Sequence, residues 1–286
     1  FIDAEKINPQ VVPNAENGTV DINWEIEEKS GDQLELSAGF GGGIGLTGTL
    51  GVSFNNFSIK NITKRSTWDP LHSGDGQKLS ARIQSNGKAF RSYNFSFTEP
   101  WLGGKKRNSI PIGYSNPKYA NAYDNFGTYC KSCGDTSYIK TASFNISLGK
   151  QLKWPDDYFN LIYALNIQRY KLRNYDNIFQ GIRNGTSTNI SLKIALVRNS
   201  AGPNPIFPTS GSNFLLSGQF TLPYSLIGLT SVSSNNYKLP EFHKWRMNAE
   251  WYVPIGMARG EEKNKQFILK IAAKYGFIGR YNKKLE

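Results

Sequence analysis

Apolar and polar residues alternate along eleven short stretches of this chain, with turn residues between them. Ala142, Phe144, Ile146 and Leu148 alternate with Ser143, Asn145 and Ser147. Trp245, Met247, Ala249, Trp251 and Val253 alternate with Arg246, Asn248, Glu250 and Tyr252. Successive strand side chains point to opposite faces, so each stretch has one apolar and one polar face. The stretches are 33–40, 44–54, 78–85, 93–99, 110–119, 138–149, 159–170, 188–198, 213–222, 245–253 and 266–277. Joined in order by turns they predict an antiparallel meander. No segment carries convincing helical periodicity. The apolar face is rich in aromatic residues and the other is charged, which suits a transmembrane β-barrel with lipid outside and water within. On this reading Leu34, Leu36, Ala142, Phe144, Ile146, Leu192, Ile194, Leu196, Met247 and Leu269 face lipid. Arg82, Asn145, Lys193, Asn248 and Lys270 face the lumen.

Composition changes this picture little. Mean hydropathy is −0.47 over 286 residues, and no apolar run approaches the ~18–20 residues of a membrane helix. Barrel strands escape that test because every second residue is polar. The net charge of +12 could answer a nucleic acid or an anionic surface. No nucleic-acid-binding pattern accompanies it, and the charges are dispersed apart from Lys105-Lys106-Arg107. Solvated turns and a cationic lumen lined by Arg82, Lys193, Arg246, Lys270 and Lys274 account for it, and no nucleic-acid partner is expected.

Residues 1–29 differ from the rest. The acidic stretch 20–28 follows the turn Asn17-Gly18, with Val11-Val12 as its expected partner strand. It reads as the last hairpin of a small soluble domain, and 30–286 as the N-terminal part of a barrel. The opening at Phe1 and the stop after the strand 266–277 read as those of a fragment. If the first barrel strand runs outward, 57–76, 100–108, 151–158, 199–212 and 254–265 are inner connections. The outer loops then include 118–137, 171–187 and 223–244. The connection 57–76 is longer than inner turns usually are. Trp101, Trp154, Tyr158, Trp245 and Trp251 fall near strand ends, where indole and phenol rings suit the headgroup level.

Candidate chemistry is sparse. Cys130 and Cys133 flank Lys131-Ser132 in a polar loop. Structural zinc needs four ligands, and the only histidines, His72 and His243, are distant in sequence. A loop in an oxidising compartment points instead to a local disulfide, with a metal or redox role as the alternative. The run Gly39-Phe40-Gly41-Gly42-Gly43 lacks the Gly-Lys-Ser/Thr ending of a phosphate loop and reads as a flexible strand end and tight turn. Neither histidine sits in a nucleophile motif. No catalytic residue, metal or cofactor is expected.

The order of these elements resembles the BamA/TamA family of outer-membrane assembly barrels. The stretch 20–28 resembles the end of that family's last POTRA domain, and 31–40 with its glycine-rich turn resembles the first barrel strand. Val52-Ser53-Phe54-Asn55-Asn56-Phe57 and Phe95-Ser96-Phe97-Thr98-Glu99-Pro100-Trp101-Leu102 resemble the ends of the second and fourth strands. Arg198-Asn199 through Phe207-Pro208-Thr209-Ser210-Gly211-Ser212 is the best match, and Ala249-Glu250-Trp251-Tyr252-Val253-Pro254-Ile255 resembles the tenth strand's end. The family's barrel has sixteen strands and eleven are legible here. Its Val-Arg-Gly-Phe motif, C-terminal strands and upstream POTRA domains are absent.

The resemblance implies an insertase for outer-membrane β-barrel proteins. Its first strand would template incoming strands by β-augmentation, a role that falls on Gln33, Leu34, Glu35, Leu36, Ser37, Ala38, Gly39 and Phe40. Gly41, Gly42 and Gly43 would form the flexible turn. The implied partners are nascent outer-membrane barrels, accessory lipoproteins or surface subunits, and outer-membrane lipid. The implied location is the outer membrane of a Gram-negative-type bacterium, with a periplasmic N-terminal part. Two alternatives stand beside this reading: a channel or polypeptide-secretion pore, and a carbohydrate-binding β-sandwich.

Overall fold

The computed structural model describes residues 7–14, 18–25, 31–41, 45–68, 73–87, 89–104, 108–121, 130, 133–175, 183–204, 206–228, 238–256 and 267–282. Asn17, Ile26, Glu27, Glu28, Gly42, Gly43, His72 and Lys105-Lys106-Arg107, all singled out in the sequence, lie outside these residues.

A two-stranded hairpin comes first. Strand β1 (Asn8–Asn14) pairs antiparallel with β2 (Thr19–Glu25), Val11 opposite Ile22. The main sheet then runs in chain order through β3 (Gln33–Gly41), β4 (Gly45–Phe57), β5 (Gln77–Asn86), β6 (Phe90–Glu99), β7 (Asn108–Ser115), β8 (Lys118–Ala120), β9 (Tyr138–Gln151), β10 (Phe159–Arg173), β11 (Gly185–Asn199), β12 (Gly211–Thr221), β13 (His243–Ile255) and β14 (Phe267–Gly279). Each strand pairs with its predecessor, except that β8 lies beside β7's path, between β6 and β9, giving twelve strands in one sheet. The expected strand 110–119 is thus two pieces. Pro117, between them, has no N–H to donate, and its carbonyl accepts from Thr141 at 2.9 Å. Strands β9 to β11 run 14, 15 and 15 residues, beyond the ~9–11 that cross a bilayer core.

The register carries one alternation through the whole sheet. Leu36 stands opposite Leu50, Leu50 opposite Ile83, Ile83 opposite Tyr93, and Phe95 opposite Tyr114. Tyr114 stands opposite Phe144, Phe144 opposite Ile167, Leu165 opposite Leu192, Leu196 opposite Leu216, Leu216 opposite Met247, and Met247 opposite Tyr275. Facing residues in an antiparallel pair share a face, so these side chains form one apolar face from edge to edge. The intervening positions form a polar face.

Burial is inverted relative to a water-soluble sheet. Large apolar-face groups are bare: Leu36 is 77% exposed, and Phe95, Tyr163, Leu192, Trp251 and Ile271 are all exposed. Small polar-face groups are buried, Ser191 at 1% and also Ser92, Asn189 and Ser217. A sheet curved toward its polar side produces this inversion. No second sheet among the described residues packs on the apolar face, which removes the β-sandwich alternative, because a sandwich needs one there. No described helix is long and apolar enough to cross a membrane.

A meander sets alternate connections at opposite ends. With β3 taken to run outward, the inner ones are 58–76, 100–107, 152–158, 200–210 and 256–266. Among the described residues the helical pieces are single turns, an α-helical one at Cys133–Thr136 and a 3-10 one at Arg65–Thr67.

Candidate functional site

Strand β3 is the first edge of the sheet. Its nine residues pair with β4 alone. Leu34, Leu36, Ala38 and Phe40 lie on the apolar face, and Gln33, Glu35, Ser37 and Gly39 on the polar face. The main-chain groups on its far side have no neighbouring strand among the described residues. Such a row of N–H and C=O groups is a template for another strand. Strand β14 is the opposite edge and pairs with β13 alone.

A side-chain strap holds β3 to the third strand in. Glu35 stands opposite Gly51 and Gly51 opposite Arg82. The Glu35 carboxylate and the Arg82 guanidinium meet over Gly51 as a hydrogen-bonded ion pair. A Cβ on Gly51 would lie 3.3 Å from Glu35 Oε2 and 3.5 Å from Arg82 Cγ. The missing side chain is what lets the pair close across β4. At β3's other end, Thr47 Oγ1 donates to the Gly39 carbonyl at 3.1 Å.

The five basic residues read as lumenal all share the polar face, but they do not form one cluster. Arg82 is strapped to Glu35. Lys193 stands on β11, opposite Gln219. Arg246, Lys270 and Lys274 occupy neighbouring positions on β13 and β14, Lys274 opposite Asn248. Lys270 Nζ lies 3.2 Å from Glu250 Oε1 and 5.4 Å from the Tyr252 ring centre, and Tyr252 donates to Glu250 Oε2 at 3.0 Å. Two of the five cations are therefore matched by carboxylates, which the sequence reading of a cationic lumen did not contain.

The inner turn after β11 is knotted around Arg198. Its Nε donates to Asp156 Oδ2 at 2.8 Å and its Nη1 to Ser200 Oγ at 2.7 Å and to Ser212 Oγ. Its guanidinium lies 5.6 Å from the Tyr158 ring centre and 5.8 Å from that of Phe159. Gly211 has φ +91°, and a Cβ there would run into the Ser200 carbonyl. The motif 198–212 thus folds a turn; Ile206 and Phe207 are left exposed at its tip.

Between β8 and β9, Cys130 and Cys133 are joined as a disulfide. Between β12 and β13, Ser225 Oγ donates to Glu241 Oε2 at 2.8 Å. Burial raises the phenol pKa values of Tyr224 and Tyr281 above their ordinary range, so both stay neutral there. No group of three or more potential metal ligands occurs among the described residues. Trp101, Trp154, Tyr158, Trp245 and Trp251 are all exposed.

An edge-to-edge apolar face left bare, opposite a polar face that buries Ser92, Ser191 and Ser217, is the geometry of a membrane barrel wall. A family model described as the Omp85 superfamily domain matches residues 72–286. The chain belongs to the Omp85 superfamily. Two solved structures share the fold. The crystal structure of BamA from Haemophilus ducreyi lacking POTRA domains 1-3 is 21% identical, with a TM-score of 0.54 over 97% of this chain. CdiB from Escherichia coli is 12% identical, with a TM-score of 0.53 over 99% of this chain. The chain spans 47% of the length of each. No curated protein matches it in sequence. The fold is therefore that of an Omp85 antiparallel barrel, membership indicates an outer-membrane location, and proteins of this superfamily handle outer-membrane substrates.

Proposed function

We propose that this Omp85 chain supplies the N-terminal wall of an insertase for outer-membrane β-barrel proteins, and that β3 is its substrate template. The carrying observation is the edge itself: nine residues of extended chain, laddered on one side and open on the other. An open edge is costly in lipid, so it must be paired at rest and exchanged during work. An incoming strand would gain the main-chain bonds β3 leaves unmade, with little dependence on its sequence. No bond is made or broken covalently, so the protein acts as no enzyme. The hairpin β1–β2 would be the end of a periplasmic POTRA-like domain delivering nascent barrels to that edge, with accessory lipoproteins or surface subunits as further partners.

A polypeptide-secretion pore is the second reading, favoured by the basic polar-face residues Lys193, Arg246 and Lys274. The deciding experiment reconstitutes the full-length protein in vesicles and measures insertion of an unfolded substrate barrel alongside ion conductance. A disulfide tether locking β3 to the strand that closes the barrel should stop insertion and leave conductance. Full-rate insertion through a locked seam would refute the template.

A further inference from the structure

The described parts of the connection after β4, 58–68 and 73–76, are folded against each other. Ser58 is fully buried, and its Oγ donates to Asp75 Oδ2 at 2.6 Å and accepts from the Asn61 N–H at 3.2 Å. Asn61 Nδ2 donates to the Ser73 carbonyl at 3.2 Å, and the Gly76 N–H donates to Asn56 Oδ1 at 2.9 Å. Phe57 forms an isolated bridge with Ser73.

The register tells on which side of the wall this connection sits. The bulge between Phe54 and Phe57 puts Phe57 opposite Gln77, in line with Leu79 and Phe97 on the apolar face. Phe57 is buried edge-on against Phe97, ring centres 6.5 Å apart. Gln77 is only 2% exposed. Its Oε1 accepts from the Ile59 N–H at 2.8 Å, and its Nε2 donates to Glu99 Oε2 at 2.7 Å. Glu99 Oε1 in turn accepts from the Trp101 N–H at 3.0 Å. Gln77 and Glu99 therefore bind two neighbouring inner connections into one rim, on the apolar side of the wall.

What this rim presents is apolar and cationic together. Ile59, Ile62, Trp68, Trp101 and Leu102 are exposed, Trp68 at 62%. Lys60, Lys64 and Arg65 stand among them in sequence, and the two connections together carry six Lys or Arg against Asp69 and Asp75. Indole and isoleucine beside lysine and arginine is the composition that settles at a membrane–water interface carrying anionic lipid.

We propose that the 58–76 connection is an interfacial foot, seating Ile59, Ile62 and Trp68 at the acyl boundary of the inner-end leaflet while Lys60, Lys64 and Arg65 bind anionic phospholipid headgroups. Continuity with the apolar face argues for lipid as the occupant, and the inference rests on that face meeting lipid. The foot joins β4 to β5, the two strands next to the β3 edge, so it anchors the wall beside the seam at a fixed depth.

The test refolds the full chain into vesicles of phosphatidylcholine alone or mixed with phosphatidylglycerol. An environment-sensitive fluorophore sits at Ile62→Cys, or at Ile194→Cys as a reporter of the wall itself. Quenching by brominated lipid is compared with quenching by aqueous iodide. Lipid quenching at position 62 that strengthens with phosphatidylglycerol is expected. Each of K60E, K64E and R65E should lower the seated-to-unseated ratio by about fivefold or more, the equivalent of roughly 1 kcal/mol per cation near an anionic surface. Heat-modifiable gel mobility confirms that each variant is folded. Iodide quenching at 62 with lipid quenching at 194 overturns the foot and leaves the wall standing. Iodide quenching at both overturns the wall reading on which it rests. Lipid quenching at 62 that ignores phosphatidylglycerol and the charge reversals also overturns it. Protection at 62 that needs an added protein assigns the rim to a protein partner instead.

Discussion

Strands β10 and β11 form the middle of the wall, and β3 forms its first edge; the two are held by different means. β10 pairs over 14 residues with β9 and over 14 with β11. Leu161 faces Leu196, Tyr163 faces Ile194 and Leu165 faces Leu192. Each such cross-strand pair adds about 0.2–1 kcal/mol to the ladder. β3 pairs over nine residues on one side only, and three of its partners are Gly45, Gly48 and Gly51. Where glycine faces Glu35, Ala38 and Gly41, the side-chain contribution is missing. The wall is thus fastened by side-chain-rich ladders on both sides of each strand, and the edge on one side only, by a ladder with fewer side-chain pairs and by the Glu35–Arg82 strap. A strand meant to exchange partners needs the second kind of fastening.

Proline separates the two regions most sharply. It removes a donor and fixes φ, and it is tolerated in sheets only at edges or bulges. Leu165→Pro in the doubly laddered wall should prevent folding outright, seen as loss of heat-modifiable gel mobility. On the proposed template role, Leu36→Pro or Ala38→Pro should leave a folded barrel that has lost insertion by about tenfold or more, because template bonds would be main-chain. Leu36→Ala should be nearly silent. Harmless proline at Ala38 in a folded barrel would break the comparison and favour a fixed pore.

Charge sharpens the contrast between faces. Ile194→Arg on the apolar face should destabilise the refolded barrel by about 2–4 kcal/mol in urea titration if that position lies near the midplane, whereas Lys193→Ala, one residue away on the polar face, should cost far less. Cysteines at 193 and 194 should label unequally from water. Equal labelling would mean that the face assignment is wrong.

The fold was legible in the sequence because its signal is a period of two, and register propagates that period. Once Leu192 and Ile194 are apolar, the partners Leu165 and Tyr163 are expected on the same face, and the structure places them there. Contacts that skip a strand were not legible. Glu35 and Arg82 are 47 residues apart, and only the glycine between their partners hints that they meet. Glu250–Lys270 and Arg198–Asp156 skip no strand, and they stayed hidden because each depends on register across a loop. The strand expected over 110–119 is two pieces because the alternation of Ile110, Ile112 and Tyr114 stops at Asn116, and Pro117 breaks the ladder there.

The outer loop offers a smaller effect. Replacing Cys130 and Cys133 with serine opens a closed loop of four residues, for which chain entropy accounts for about 2 kcal/mol at most. That cost should stay in the loop, since outer connections open independently of the wall. Mass spectrometry without reductant should find the native protein two hydrogens lighter than its dithiol form. The double serine variant should assemble normally in membranes; failed assembly would make the loop part of the wall's folding unit.

The smallest expected effect bears most directly on the edge. The Glu35 and Arg82 side chains are each about half exposed, so screening limits the pair to about 0.2–1 kcal/mol. Glu35→Gln should therefore barely change global stability in urea. It should act on β3 alone, because the strap is the side-chain link that ties this strand past its glycine-lined contacts with β4. Amide exchange at 34–40 should speed up, while exchange in 161–170 stays unchanged. Arg82→Gln should do the same, and the double variant should add nothing, since either change removes the whole pair. Gly51→Ala tests the geometry separately. Its Cβ would press on Glu35 Oε2, and a carboxylate on a flexible stem can swing aside, so the ion pair should loosen without the ladder breaking. If loosening the strap exposes β3 and speeds insertion of a substrate barrel, the strap is a restraint on the template. If exchange at 34–40 does not respond, the main-chain ladder alone holds the edge, and the strap's place in the comparison is lost.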